Sequence, residues 1–240
     1  MADWRRHTDI LSRIRSGADR LTRSPIYDLA MRVPVVVWST ALALRSAAGL
    51  EQYVHGADPA LPNGVFAVEI AMRLSVTAYL VIIVPTVVMR SSPIGRSRGP
   101  EPRISAFIGT FLITTVTLFP RHELSLIADL GSALLILTGE AFAVIALTQL
   151  RRSFSIMPEA RELVTSGLYR FVRHPLYLAE AIATIGIVVQ FLSVWTLMLL
   201  LAQFLFQLRR IKNEETILTE AFPHFAIYKK KTAQLIPGIY

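Results

Sequence analysis

Two stretches near the C-terminus carry residue types that do chemistry when they are brought together. The first is Leu163-Val164-Thr165-Ser166-Gly167-Leu168-Tyr169-Arg170-Phe171-Val172-Arg173-His174-Pro175-Leu176-Tyr177. Thr165, Ser166 and Gly167 read as a turn, in which Gly167 can take a positive φ or admit a close backbone approach. Pro175 suits the first turn of a helix, where its missing N–H would have no partner anyway, so His174 sits at a helix start. The unpaired N–H groups and positive dipole end of such a start can hold a carboxylate. Tyr169, His174 and Tyr177 add aromatic faces and hydrogen-bond donors, and together the set suits a nucleoside with an amino-acid tail. The second stretch is Arg209-Arg210-Ile211-Lys212-Asn213-Glu214-Glu215. Arg210 and Glu214 are four residues apart and share a helix face. Taken alone, this stretch reads as a salt-bridged helix leaving a membrane, with snorkelling arginines.

The elements that must position these residues are apolar. Of 240 residues, 53% are hydrophobic, above the roughly 45–50% of soluble domains, and they come in blocks rather than amphipathic stripes. Six blocks are legible, at about 33–50, 65–89, 104–119, 124–150, 175–190 and 192–208. A helix needs about 20 apolar residues to cross a bilayer. The last two blocks are short and nearly touch, so they read as a tight helical hairpin that reaches only about 24 Å into the bilayer. The fold expected is therefore all-α and polytopic, with about six transmembrane segments. Three regions follow: a basic N-terminal segment (1–32), four transmembrane helices (33–150), and a cofactor-binding loop, hairpin and tail (151–240).

Charge sets the orientation. Of 25 basic residues, 22 fall in the N-terminal segment, the 90–103 and 151–174 loops and the tail, whereas the opposite loops hold only Arg121. Positive loops stay cytoplasmic, so both termini and both motif-bearing stretches are expected on the cytoplasmic side of an integral membrane protein. The same pattern explains the net charge of +8 without nucleic acid. Residues 4–21 mix Ile10, Leu11, Ile14 and Leu21 with arginines and read either as an interfacial helix or as a basic tail held near anionic lipid. The absence of cysteine removes disulfides and thiolate sites, and no metal site is expected.

Ionisable groups inside a span face protein or water. Glu69 and Arg73 lie four residues apart on one helix and are expected to pair. Glu140 falls near the centre of its block. Glu180 lies one or two turns beyond His174, close to the cytoplasmic face, and is a candidate substrate contact.

Taken together, the two stretches resemble the isoprenylcysteine carboxyl methyltransferase family, within the wider group of membrane isoprenoid and phospholipid methyltransferases. In that family a Leu-Val-Thr-x-Gly-x-Tyr segment runs into Arg-His-Pro-x-Tyr, then a helical hairpin, a Glu-Glu segment, and a tail with a tyrosine and Ile-Pro. Residues 163–240 hold all of these in order. The resemblance implies S-adenosylmethionine as cofactor, with Leu163, Val164, Gly167, Tyr169, His174, Pro175, Leu176 and Tyr177 at its site. It implies Arg210 and Glu214 at the acceptor, with Glu180 and Glu215 as further substrate-binding candidates. The chain departs from the family pattern at Arg161, where a histidine is frequent two residues before the Leu-Val pair. It departs again at Leu168, frequently proline, and at Phe222-Pro223, in place of Phe-Gly.

Methyl transfer from a sulfonium is an in-line displacement, in which a protein mostly positions and desolvates. A carboxylate acceptor is already ionised at pH 7. Arg210 would orient it with its planar fork, with Glu214 holding Arg210. An amine or hydroxyl acceptor would need a base, and Glu214, Glu215 and Glu180 are the candidates. The partners expected are the lipid bilayer and a lipophilic or lipidated acceptor. Two rival readings are a membrane reductase acting on a sterol or lipid, and a non-catalytic binding or transport protein using Glu69, Arg73, Glu140 and Glu180.

Overall fold

The computed structural model describes residues 25–56 and 62–238. The 4–21 segment, the residues around Asp58 and most of the basic N-terminal region lie outside them. Seven helices are described: α1 (Pro25–Gly56), α2 (Asn63–Val88), α3 (Glu101–Phe111), α4 (Leu126–Leu150), α5 (Pro175–Gln190), α6 (Val194–Ala221) and α7 (Phe225–Lys231). Helix α1 packs on α2, α2 on α4, and α4 on α5, while α3 packs against α6.

Four helical segments are long and apolar enough to cross a membrane: Asp28–Gly56, Asn63–Val88, Leu126–Ser153 and Val194–Ala221. Large apolar side chains such as Val37 and Leu44 point outward from them, as a lipid solvent permits. Six uniform spans are not what forms. The block at 104–119 divides into α3 and a 3₁₀ turn at Leu112–Leu118. Its threonines account for the change: Thr114, Thr115 and Thr117 each donate a hydroxyl hydrogen bond to the carbonyl three residues back, competing with the regular backbone ladder. The last two blocks also differ from the matched short pair expected. Helix α5 has 16 residues, but α6 runs for 28. Its Arg, Lys and Glu residues end the apolar run but are good helix formers, so the helix continues past the hydrocarbon. Between α5 and α6, Ser193 caps α6 in a reciprocal pair with Thr196: Ser193 Oγ accepts from Thr196 N and Thr196 Oγ1 from Ser193 N.

The chain is not wholly helical. Gly95–Arg96 (β1) and Glu159–Ala160 (β2) pair antiparallel, with Gly95 opposite Ala160, and this joins the two basic loops. The tail also returns. Val172 and Ala233 form a parallel bridge, and Arg173 and His174 donate their backbone N–H groups to Ala233 and Gln234.

Helices α4 and α5 approach closely because small residues line their contact. Ser132 Oγ donates to the Gly186 carbonyl at 2.8 Å, and Gln190 Nε2 donates to Ser132 Oγ at 2.9 Å. A Cβ added at Gly139 would lie 2.5 Å from Ala183 N and 2.7 Å from Ala179 O. Gly139→Ala is therefore expected to push α5 off α4 and destabilise the protein by about 1–3 kcal/mol, the usual cost of overpacking. The thermal midpoint in detergent should fall; an unchanged midpoint would contradict this packing.

Candidate functional site

The turn that begins the site depends on glycine. Gly167 has φ +63°, and a Cβ there would lie 2.4 Å from Gln149 Oε1. That same oxygen accepts the Leu168 N–H at 2.8 Å, so α4 holds the turn from below. The turn buries Tyr169, whose carbonyl accepts the Tyr228 hydroxyl at 2.5 Å. Among the described residues the Tyr169 hydroxyl itself has no partner. Burial pushes its phenol well above the ordinary range and that of Tyr228 up to about 12. Both are neutral hydroxyls near pH 7.

His174 precedes the first residue of α5, with Pro175 at the first helical position. The His174 ring is buried and stacks on Tyr177 with centroids 5.5 Å apart. Its Nε2 lies 3.3 Å from Glu215 Oε1. Glu215 gathers further donors. Arg173 Nε reaches Oε1 at 3.0 Å, Gln234 Nε2 reaches Oε1 at 2.9 Å, and Lys229 Nζ reaches Oε2 at 2.6 Å. One carboxylate on α6 thus ties together the Arg-His-Pro segment, α7 and the tail. Arg173 strengthens the tie by donating from Nη1 to the carbonyls of Lys229 and Thr232.

Arg210 is 3% exposed. Its guanidinium lies 4.8 Å above the Tyr177 ring, Nη1 donates to Thr110 Oγ1 at 3.1 Å, and Nη2 donates to the Ser155 carbonyl at 3.4 Å. The expected contact of Glu214 with Arg210 is not made. Tyr177 intervenes, donating its hydroxyl to Glu214 Oε2 at 2.6 Å. Helical spacing sets the two residues one turn apart, but an aromatic side chain from α5 fills the space between them. No carboxylate lies within ion-pair distance of Arg210 among the described residues, and its neighbours are a hydroxyl, a carbonyl and a π face.

Two adjoining cavities collect the sequence candidates. One is lined by Leu163, Val164, Tyr169, His174, Glu214 and Tyr228, among others. The second is lined by Tyr169, His174, Leu176, Tyr177, Arg210 and Glu214, among others. Tyr169, His174 and Glu214 are common to both. Gly167 and Pro175 line neither; they shape the turn and the helix start. Glu180 lies one turn beyond Tyr177, where Oε1 accepts the Tyr79 hydroxyl and Oε2 the Gln207 amide, each at 2.9 Å. Glu140 on α4 has a buried Oε2 with no partner among the described residues. Glu69 and Arg73 pair at 3.5 Å on α2, with Arg73 stacked 4.5 Å above Tyr53, and they line neither cavity.

Sequence reasoning missed one component. Asp28, at the start of α1, accepts from Arg32 at 2.6 Å, Arg90 at 2.7 Å and Arg161 at 3.2 Å. The only sequence signal was a single acid among arginines, and nothing local places it against residues 62 and 133 positions away.

Residues 132–220 match the model of the isoprenylcysteine carboxyl methyltransferase (ICMT) family. That stretch contains the Gly167 turn, the Arg-His-Pro segment and the Arg210–Glu215 end of α6, so the resemblance holds over the part of the chain that forms the two cavities. The chain is also similar to the cobalt-zinc-cadmium resistance protein CzcN of Cupriavidus metallidurans, with 39% identity over 79 residues. That match covers 32% of this chain and 36% of the relative, so it spans about a third of the curated protein's length.

Proposed function

We propose that this protein transfers a methyl group from S-adenosylmethionine to an amphiphilic, isoprenoid-like acceptor at the membrane–cytosol interface, most simply as carboxyl O-methylation. The carrying observation is Arg210, a buried guanidinium with no carboxylate partner, in a cavity joined to the one lined by Leu163, Val164, Tyr169 and His174. A buried cation is costly when unpaired, and a planar fork suits an incoming carboxylate. The family match supports a membrane methyltransferase.

The residues fit the cofactor. The Tyr169 hydroxyl is a buried donor without an acceptor, the stacked His174 and Tyr177 rings offer aromatic faces, and Leu163 and Val164 supply an apolar wall. When bound, S-adenosylmethionine supplies an electrophilic methyl on a sulfonium. The acceptor carboxylate attacks that methyl, the carbon–sulfur bond breaks with its electrons passing to sulfur, and S-adenosylhomocysteine leaves. No base is required for an ionised carboxylate. Arg210 orients it, Tyr177 carries the Arg210 plane on its face, and Glu214 fixes Tyr177 by accepting its hydroxyl. Glu180 sits deeper, with both oxygens engaged, and serves the acceptor pocket from behind. The positive-inside pattern places the site and both termini on the cytoplasmic side. The acceptor then arrives laterally from the bilayer and the cofactor from the cytosol, with 33–150 as scaffold and 151–240 carrying the chemistry.

The test is binding of S-adenosylhomocysteine to the detergent-solubilised protein by calorimetry, followed by transfer of labelled methyl into a lipid extract. His174→Ala is expected to weaken that binding by about 1–3 kcal/mol, the cost of losing a buried hydrogen-bonding partner. If the wild type binds no S-adenosylhomocysteine, the methyltransferase reading is wrong. If a folded His174→Ala variant binds like wild type, His174 is not at the cofactor.

A further inference from the structure

Arg161 stands two residues before the Leu163–Val164 pair, at the position where the chain departs from the family pattern. Its side chain is wholly screened from solvent, at 0%. Only Nη2 is engaged, 3.2 Å from Asp28 Oδ1 and 2.6 Å from Glu159 Oε2. Nε and Nη1 are buried with no acceptor among the described residues.

The neighbouring acids have other partners. Asp28 also takes Arg32 and Arg90. Glu159 also takes Arg96 Nε at 3.2 Å and the Ser155 hydroxyl at 2.9 Å. Four guanidinium groups, on Arg32, Arg90, Arg96 and Arg161, therefore share two carboxylates. Burial first, and then the charge of Arg161, hold the Arg90 guanidinium below its ordinary range, as expected where cations outnumber anions. A buried charge excess of this kind calls for a further anion. Arg161 also lines the cavity that holds Leu163, Val164, Tyr169 and His174.

The helix start at His174 is the other place in this cavity where a carboxylate would be favoured. Glu215 already occupies its surroundings, 3.3 Å from His174 Nε2, and two carboxylates brought together there would repel. The unmet positive charge lies at the opposite wall.

We propose that Arg161 binds the α-carboxylate of the methionyl portion of S-adenosylmethionine through the donors that the protein leaves idle. The aromatic pair at His174 and Tyr177 then faces the remainder of the cofactor. This rests on the reading of the chain as a methyltransferase using that cofactor.

The experiment compares S-adenosylmethionine with its decarboxylated analogue, which lacks only the carboxylate, by calorimetry on wild type, Arg161→Met and Arg161→Lys. Wild type is expected to prefer S-adenosylmethionine by tenfold or more. Arg161→Met should bind S-adenosylmethionine at least tenfold more weakly, down to the level of the analogue, and bind the analogue as wild type does. Arg161→Lys keeps the charge and the pairing with Asp28 and Glu159, so it guards against misfolding of the methionine variant; it should lose affinity for S-adenosylmethionine alone. Equal losses for both ligands would overturn the proposal in favour of a purely structural Arg161. Unchanged affinity for S-adenosylmethionine, with a raised KM for the acceptor, would overturn it by assigning Arg161 to the acceptor's carboxylate. Wild type binding neither ligand would overturn the methyltransferase reading itself, a result distinct from either of these.

Discussion

Replacing Glu215 with glutamine is expected to loosen the C-terminal tail and abolish most cofactor binding in one step. The substitution keeps the shape and removes the charge that Arg173, Lys229 and, when protonated, His174 share. Lys229 is about half exposed, with 52% of its side-chain surface open, and an exposed pair contributes at most ~1 kcal/mol. The weight falls on Arg173, whose side chain is 8% exposed. Removing one partner of a buried pair costs ~3–5 kcal/mol, because the other charge is left uncompensated. Arg173 and His174 also carry the two backbone N–H groups that hold the tail at Ala233 and Gln234. The tail should therefore detach together with the helix start. Three readouts follow: a lower thermal midpoint, faster tryptic cleavage around Lys229, Lys230 and Lys231, and loss of S-adenosylhomocysteine affinity. A variant with a protected tail and wild-type affinity would show that Glu215 is not the clamp. A variant with a protected tail that loses turnover alone would make Glu215 an acceptor contact, its role as first read from the sequence.

How much of this was legible beforehand depended on whether the signal was local. The apolar blocks that became α1, α2 and α4 were visible because a lipid-facing helix must be apolar along its whole length. The start of α5 was visible because Pro175 has one favourable helical position and Gly167 one favourable backbone region. The block at 104–119 misled because hydropathy does not register the threonine hydroxyls that turned its second half into a 3₁₀ helix. The length of α6 misled for the converse reason, since charges that end an apolar run do not end a helix.

The site followed the same division. Leu163, Val164, Tyr169, His174, Tyr177, Arg210 and Glu214 were found as residue types and do meet at two joined cavities. What joins them was not legible, because each link crosses a large sequence separation. Tyr177 reaches Glu214 across 37 positions, Arg210 reaches Thr110 across 100, and Arg161 reaches Asp28 across 133. An i, i+4 rule named Arg210 and Glu214 as partners on one helix, and a tyrosine from another helix took the carboxylate instead. That exchange matters for function. A Glu214 bonded to Arg210 would cancel the charge that a carboxylate acceptor needs, whereas a Glu214 bonded to the Tyr177 hydroxyl leaves it available.

Arg210→Lys is accordingly expected to retain S-adenosylhomocysteine affinity and lose turnover by tenfold or more, at least ~1.4 kcal/mol in the transition state. Lysine preserves the charge, so any role that needs only a cation survives. What it removes is the plane. Arg210 is placed by three contacts, the Tyr177 face at 4.8 Å, Thr110 Oγ1 at 3.1 Å and the Ser155 carbonyl at 3.4 Å. A guanidinium can make all three and still present a donor edge, but an ammonium has three rotating donors and no plane to stack. Thr110→Val supplies an independent arm. It deletes one of the three contacts without altering Arg210, so turnover should fall in the same direction by a smaller factor, again with cofactor affinity kept. The paired measurement is calorimetric affinity for S-adenosylhomocysteine alongside turnover with whichever acceptor the lipid extract yields. Survival of turnover in the lysine variant would reduce Arg210 to a charge at the membrane edge. Collapse of cofactor affinity together with turnover would move Arg210 into the cofactor cavity and dissolve the division between the two cavities on which the proposed mechanism depends.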